Sequence, residues 1–463
     1  MCGINVCIGG GMADVRKMYE ATIHRGTSDS FRAVELEGNR IAWVNYNHLP
    51  ITTQSQQRSF ETENYIVWMN GFISNHKELA EKHGFRLNTT CDTEVLANVL
   101  QYGIGLDELN GFFAVFYYCK RTKVIGSFTD RYGIKQLYHY IDEKGVQYIS
   151  SEVKGILAVA NPRHDEFGIE DWKTTLGVMN DNTIYKGIKR VPCLYLPKIE
   201  RSTDTSIEAY EKAKNQLISL LKQSVERNKY NGNDGVYLSG GIDSGLLAKW
   251  IEPDYTFSVD YVEDNYSEIE LIKENSKSKH YSVIINKDNY MDFAGRSLLA
   301  LDDFKAGSCY SNFAVAELAS KFVKVVYSGA GGDEFFGGYP HRLDKHIYNV
   351  IARTEYALDT ITFTPKIWDI THYEYDIKFL KAVLIVEDRM TSYHTMECRY
   401  PLLDNDVVNF ALSLPLEFIE NKRILKDVCG LSENVIKGKK RGFSNPYFTN
   451  DEWVEFTIKN LKK

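Results

Sequence analysis

Cys2 follows the initiator Met, and a small second residue allows that Met to be removed, leaving a thiol beside its own free α-amine. Such a pair is a nucleophile with a built-in base, although Cys2 could equally open a strand. Asn70-Gly71 could set a side-chain amide and a flexible backbone N–H where a tetrahedral oxyanion forms, or could be a hairpin turn. Asp92 could cap a helix or hold a substrate ammonium. In the second half, Ser239-Gly240-Gly241-Ile242-Asp243-Ser244 gathers glycines, hydroxyls and a carboxylate behind an apolar run. Phosphate binds well at such a strand-to-helix turn, where helix N-terminal N–H groups converge and glycine allows close approach. It lacks the Gly-Lys-Ser or Gly-Lys-Thr of the common phosphate loop, and a tight structural turn is the alternative. Ser328-Gly329-Ala330-Gly331-Gly332-Asp333 follows another apolar run.

These residues need elements to position them. Short apolar or alternating runs predict strands at residues 3–8, 41–46, 65–70, 112–118, 123–128 and 146–150, and helical spacing predicts a helix over 92–101. After Pro197 the pattern changes. A polar stretch, 200–206, precedes an amphipathic helix predicted over 207–227, so the domain boundary is placed at about residue 200. Strands are expected at 235–238, 255–259, 281–285 and 323–327, with a helix at 245–250 and helical patterns elsewhere. Alternation of this kind implies a largely parallel sheet. Residues 342–463 read as helical, ending in a basic, glycine-punctuated segment at 437–443.

A chain of 463 residues with 43% hydrophobic and 25% charged residues is globular and long enough for two or three domains. Its net charge of −7 argues against a dedicated nucleic-acid coat. No apolar run approaches the ~20 residues that span a bilayer, and no secretory signal is evident, so the expected compartment is the cytoplasm. The eight cysteines include no Cys-x-x-Cys pair, which suits neither a zinc site nor a disulfide scaffold.

The N-terminal segments together resemble the glutaminase domain of class II glutamine amidotransferases, the N-terminal-nucleophile family. The matching runs are Cys2-Gly3-Ile4, His24-Arg25-Gly26, Asn70-Gly71 with Asn75-His76, Asp92-Thr93-Glu94, Asp130-Arg131-Tyr132-Gly133-Ile134-Lys135 and Ser151-Glu152-Val153-Lys154. The resemblance implies a four-layer αββα sandwich over residues 1–200, with Cys2 attacking glutamine, Asn70 and Gly71 forming the oxyanion hole and Asp92 binding the substrate α-amine. One departure stands out: His48-Leu49-Pro50-Ile51 puts a histidine where the family has an arginine for the glutamine carboxylate, and imidazole cannot make the bidentate contact of guanidinium. Either Arg25, Arg40 or another cation substitutes, or glutamine binds weakly, with His48 kept among the glutamine-binding residues.

The Ser239 run looks like the pyrophosphate loop of ATP pyrophosphatases. With the Ser328 run, Glu397-Cys398-Arg399-Tyr400-Pro401-Leu402-Leu403-Asp404 and Lys440-Arg441-Gly442-Phe443, it completes a resemblance to the asparagine synthetase family over nearly the whole chain. For residues 201–463 this implies a doubly wound α/β domain with extra helices. ATP would be held by Leu238, Ser239, Gly240, Gly241, Asp243, Ser244, Val259, Ser328 and Gly329, and Mg²⁺ by Asp243 and Asp333, with Lys440, or Lys439, neutralising phosphate charge. The implied reaction is hydrolysis of glutamine and amidation of an adenylated acceptor carboxylate, releasing AMP and pyrophosphate. Ala330 stands where asparagine synthetases carry glutamate, which opens the identity of the acceptor unless Asp302, Asp303 or Glu387 brings a carboxylate to the same space. Aspartate, another carboxylate and a degenerate regulatory protein are the competing readings. The expected partners are glutamine and the acceptor, with a homodimer allowed and no membrane or nucleic acid.

Overall fold

The computed structural model describes residues 2–51, 59–166, 168–169, 181–194, 197–262, 276–302, 309–339, 372–438 and 446–461. Its first part is built on strands β1 (Gly3–Ile8), β2 (Ser28–Glu35), β3 (Ile41–His48), β4 (Phe60–Glu61), β5 (Tyr65–Ile73), β6 (Gly111–Cys119), β7 (Val124–Thr129), β8 (Tyr138–Ile141), β9 (Gln147–Ser150) and β10 (Lys189–Arg190). They form two antiparallel sheets, ordered β10-β8-β9-β1-β3-β2 and β4-β5-β6-β7. Alternation decides what each face does. Ile4, Val6 and Val44 of the first sheet pack against Ile66, Trp68, Ala114 and Phe116 of the second. The opposite face of the second sheet, with Val67, Met69 and Val115, meets apolar residues of α2 (His76–His83) and α3 (Asp92–Tyr102), after α1 (Met12–Ala21) in the chain. Cys7 and Tyr148 on the outer face of the first sheet pack with Val15 and Met18 of α1 and Ile156 of α4 (Val153–Leu157).

Ser206 caps α5 (Ile207–Asn228), its hydroxyl accepting from Ala209 N at 3.2 Å, and Leu217 and Leu221 are buried. Five strands follow: β11 (Asp234–Tyr237), β12 (Tyr255–Tyr261), β13 (Lys279–Ile285), β14 (Val325–Tyr327) and β15 (Glu397–Arg399). All pair in parallel, in the order β13-β12-β11-β14-β15. The chain runs outward from β11 through β12 to β13, then returns to β14 on the other side. β11 and β14 therefore flank a topological switch point, where the loops beyond their carboxyl ends open a crevice. The glycine-rich loop after β11 enters α6 (Ile242–Ile251), and the one after β14 enters the short α9 (Gly332–Phe335), following α7 (Tyr290–Leu301) and α8 (Cys309–Ala319). Beyond these lie α10 (His372–Tyr393) and α11 (Asn405–Ser413).

The two parts share buried polar contacts. Lys135 Nζ meets Asp388 at 2.7 Å with both side chains buried, and Asn405 donates to Asn110 Oδ1 at 3.0 Å and Leu109 O at 2.8 Å.

Several elements differ from the sequence-based expectation. Helices α1, α2 and α4 and strands β2, β4, β8 and β10 were not predicted; β2 is mostly half-exposed and lacks a clean apolar face. The 342–463 region is not wholly helical, because residues 397–399 extend the parallel sheet as β15. Asn70-Gly71 is no hairpin turn: it lies inside β5, paired with Ala114 and Phe113 of β6.

Candidate active sites

Cys2 precedes β1 and is half-buried, its Sγ 4.0 Å from Leu49 O. Its backbone is held from one side, where Arg25 Nε donates to Cys2 O at 3.0 Å. On β3, opposite Ile4, the buried Tyr46 hydroxyl donates to Met69 O at 2.7 Å and interacts with the Cys2 thiol. Burial, then the neighbouring Cys2, holds that hydroxyl well above its ordinary range. One tyrosine thus ties the cysteine to the residue before Asn70.

Asn70 is fully buried, and neither its Oδ1 nor its Nδ2 has a hydrogen-bond partner among the described residues. Leaving one buried polar atom unmet costs about 1–3 kcal/mol, so an amide with both unmet is poised for something else. Gly71 beside it has φ 138°, and a Cβ there would stand 2.1 Å from Phe112 O, so only glycine fits this close strand pairing. Asp92 is not the cap of α3 but its first residue. Its Oδ2 accepts from Ile73 N at 2.9 Å, tying the helix start to the end of β5. Burial raises its pKa above the usual carboxylate range, against the Ile73 N–H and His76, which lower it.

The pairing Gly3↔Asn47 puts His48 at the next rung, across from Cys2, where it is buried and stacked on Tyr46 at 5.9 Å. The alternative cations lie elsewhere. Arg25 is committed to Cys2 O and to Glu152 Oε1, at 2.6 Å. Arg40 adjoins the far end of β3, roughly 25 Å away at ~3.3 Å per residue.

In the second part, Leu238 N donates to Phe257 O at 2.8 Å as the chain leaves β11, and the loop folds on its own hydroxyls. Gly241 N donates to Ser239 Oγ at 3.2 Å, and Ser239 N to Ser244 Oγ at 3.1 Å. The neighbouring loop touches it: a Cβ on Gly329 would lie 2.9 Å from Asp243 Cβ and from Ser244 N. Ser328 N is fixed by Arg399 O at 3.0 Å, and Ala330 N donates to Ser328 Oγ at 3.2 Å. Val259 lies near the carboxyl end of β12. Asp243 and Asp333 come together on a residue the sequence analysis missed. Lys422 Nζ contacts Asp243 Oδ2 and lies 2.6 Å from Asp333 Oδ1. Burial works against its charge, but the two carboxylates outweigh burial and raise its pKa. No local motif marks Lys422; the left-handed Asn421-Lys422 pair turns it inward, and Asn421 N and Lys422 N donate to Gly337 O and Phe336 O. Lys439 and Lys440 lie outside the described residues. Asp302, a candidate to replace the missing carboxylate at Ala330, instead accepts from Lys154 N at 2.8 Å.

The two sites adjoin through Arg399, whose guanidinium lies 4.1 Å above the ring of Phe72, one residue beyond Gly71. Among the described residues no helix is long and apolar enough to cross a membrane.

Residues 1–211 match the family model described as glutamine amidotransferase domain, and residues 216–360 and 370–461 match the one described as asparagine synthase. The chain is 25% identical, over 96% of its length and 86% of the relative's, to glutamine-hydrolysing asparagine synthetase 1 of Bacillus subtilis. It is 29% identical, over 76% of its length and 78% of the relative's, to a putative glutamine-hydrolysing asparagine synthetase 2 of Methanocaldococcus jannaschii. Among solved structures it is similar to the B. subtilis glutamine phosphoribosylpyrophosphate amidotransferase, with 14% identity, a TM-score of 0.31 and coverage of 61% of this chain and 65% of that one.

Proposed function

Since this chain belongs to the asparagine synthase family and is a glutamine- and ATP-dependent amidotransferase, we propose that Cys2 takes ammonia from glutamine and that the switch-point crevice delivers it to an adenylated carboxylate. In this reading the first domain, residues 1–200, is an N-terminal-nucleophile hydrolase and the second, 201–463, a doubly wound ATP pyrophosphatase. The α-amine of Cys2 takes the thiol proton, Sγ attacks the carboxamide carbon, and charge gathers on the carboxamide oxygen. Asn70 Nδ2 and Gly71 N–H meet that oxygen. The unpartnered, fully buried Asn70 amide is the observation that carries the proposal, because preorganised donors cost no reorganisation when the oxyanion forms. Asp92 receives the substrate ammonium and His48 its carboxylate. The α-ammonium of Cys2 returns its proton to the carboxamide nitrogen as the intermediate collapses and expels ammonia, and water then releases glutamate from the thioester.

In the crevice the backbone N–H groups of the Ser239 loop hold the polyphosphate. Asp243 and Asp333 suit Mg²⁺, a hard cation usually bound by one or two carboxylates plus phosphate oxygens, and both already converge on a cation, Lys422. The bound metal would supply charge neutralisation to the polyphosphate. Lys422, together with Lys440, offers the departing pyrophosphate a positive partner, and the acceptor carboxylate attacks the α-phosphorus. Ammonia then displaces AMP from the acyl adenylate. Ala330 leaves the acceptor pocket without the family's carboxylate, favouring an acceptor that lacks aspartate's α-ammonium.

The test is glutamate and pyrophosphate release with glutamine, ATP and a panel of carboxylates, run on the wild type and on Cys2→Ala. Cys2→Ala is expected to lose glutamate release and to keep ammonia-driven pyrophosphate release. Glutamate release undiminished in that variant refutes the assignment.

A further inference from the structure

His24-Arg25 and Glu152-Lys154 have no part in the chemistry above, yet they meet in a buried charged cluster between the two parts. Glu152 precedes α4 and is 1% exposed. Its Oε1 takes Arg25 Nη1 at 2.6 Å, His24 Nε2 at 3.0 Å and Arg389 Nη1 at 3.1 Å, while Oε2 takes Lys154 Nζ at 2.9 Å. Burial alone would raise its pKa, but Lys154, His24, Arg389 and Arg25 together hold it well below the usual carboxylate range. Arg389 belongs to α10, in the second part of the chain, and α10 also supplies Ser392, 3.4 Å from Arg25 Nη1.

Arg25 is the link that matters. Its Nε donates to Cys2 O, and its side chain runs beside β1, so that a Cβ on Gly3 would lie 3.3 Å from Arg25 Cβ. A continuous line therefore runs from α10 through Glu152 and Arg25 to the backbone of Cys2. Arg389 is an expensive end to that line. Its guanidinium is 1% exposed and, besides the ion pair with Glu152, lies 5.3 Å from the centre of the Tyr138 ring and within electrostatic reach of Asp302. A buried cation held this way is weak support for folding. What it does supply is charge on Oε1, the oxygen that Arg25 also grips.

We propose that Arg389 and Glu152 are positioning residues through which the second domain holds the nucleophile, by way of Arg25 and the Cys2 carbonyl. This rests on the reading of Cys2 as nucleophile. Losing Arg389 leaves Glu152 to Lys154, His24 and Arg25, lets its carboxylate turn toward Lys154 and loosens the grip on Arg25. Nucleophile placement is sensitive to such shifts, since 1 Å can cost ~100-fold. A partial displacement is expected to cost about tenfold.

Full-length Arg389→Met, Arg389→Lys and Ser392→Ala decide it, with glutaminase kcat, glutamine KM and the affinity for ATP with Mg²⁺ as readouts. Arg389→Met is expected to lower kcat about tenfold, with KM and ATP affinity each within about twofold of wild type, and Arg389→Lys to restore at least about half of kcat. Ser392→Ala, which disturbs no charge, shows the same pattern at about threefold and carries the test where Arg389→Met does not fold. A kcat within twofold of wild type in Arg389→Met, a matching loss of ATP affinity or no gain with lysine overturns the proposal; where that variant does not fold, an unchanged kcat in Ser392→Ala does so. Undiminished glutamate release by Cys2→Ala overturns the underlying reading instead.

Discussion

Asn70→Ala separates catalysis from stability because the two should move in opposite directions. The side chain makes no hydrogen bond among the described residues, so its removal breaks none, and it deletes two buried polar atoms whose desolvation is uncompensated. At the lower bound of ~1 kcal/mol each, this relieves about 2 kcal/mol. Truncation also leaves a void: at ~24 cal/mol per Å³, some 40 Å³ lost from a packed sheet costs about 1 kcal/mol. The variant is therefore expected to gain about 1 kcal/mol, or ~2–4 °C in Tm for a domain of this size. Its glutaminase kcat should fall ~100- to 1,000-fold, the usual consequence of losing one oxyanion donor. Calorimetry and glutamate release on the same preparation measure both. A Tm lowered by several degrees would mean that Asn70 has a structural partner, and kcat within threefold of wild type would remove it from the oxyanion hole.

Other outcomes follow from the second site and the interface. Asp243→Asn and Asp333→Asn each remove a formal charge from the proposed polyphosphate site and should abolish pyrophosphate release while sparing glutaminase activity; full ATP turnover in either refutes the proposed metal site. Lys422→Met strands two partly buried carboxylates. It should lose about 3–5 kcal/mol in denaturant unfolding, with Mg²⁺ restoring more stability to the variant than it adds to wild type; an unchanged unfolding midpoint refutes the pairing. Burial pushes Asp302 from 3.8 to about 6, against Lys154 and Arg389. The folded chain thus holds a proton that the unfolded chain has released, and stability from this group falls as pH rises from about 4 to about 6. Asp302→Asn, which can still accept from Lys154 N, should recover on the order of 2 kcal/mol at pH 7 but little at pH 4; equal effects at both refute the shift. Aspartate should be a poor acceptor, because its ammonium would lie beside the Ala330 methyl; asparagine formed at about 1 per second or faster refutes this.

What the sequence disclosed and what it concealed divide along physical lines. The strand carrying Asn70 and the strands leading into the Asp243 and Asp333 loops were readable because each combines a continuous apolar run with glycine punctuation, a local signal. β15 was not: Glu397-Cys398-Arg399 has two charged residues in three, and the ion pair at 2.8 Å between Glu397 and Arg399, with Arg399 Nη1 donating to Asn228 O at 2.8 Å and Lys229 O at 3.2 Å, makes that burial tolerable. Lys422 was hidden for the same reason, being an ordinary Asn-Lys-Arg stretch until its left-handed turn delivers it to carboxylates 179 and 89 residues away. His48 and Ala330 invert the lesson. Both were visible as departures from a pattern, yet their consequences depend on what else reaches the same place. The structure places Arg25, Arg40 and Asp302 elsewhere, so neither departure is compensated by those residues. On the proposed reading, each of the two sites departs from the family pattern at one point, His48 in the first and Ala330 in the second, while the buried Asn70 amide and the paired glycine-rich loops remain, so substrate preference is where this chain should differ most from its relatives.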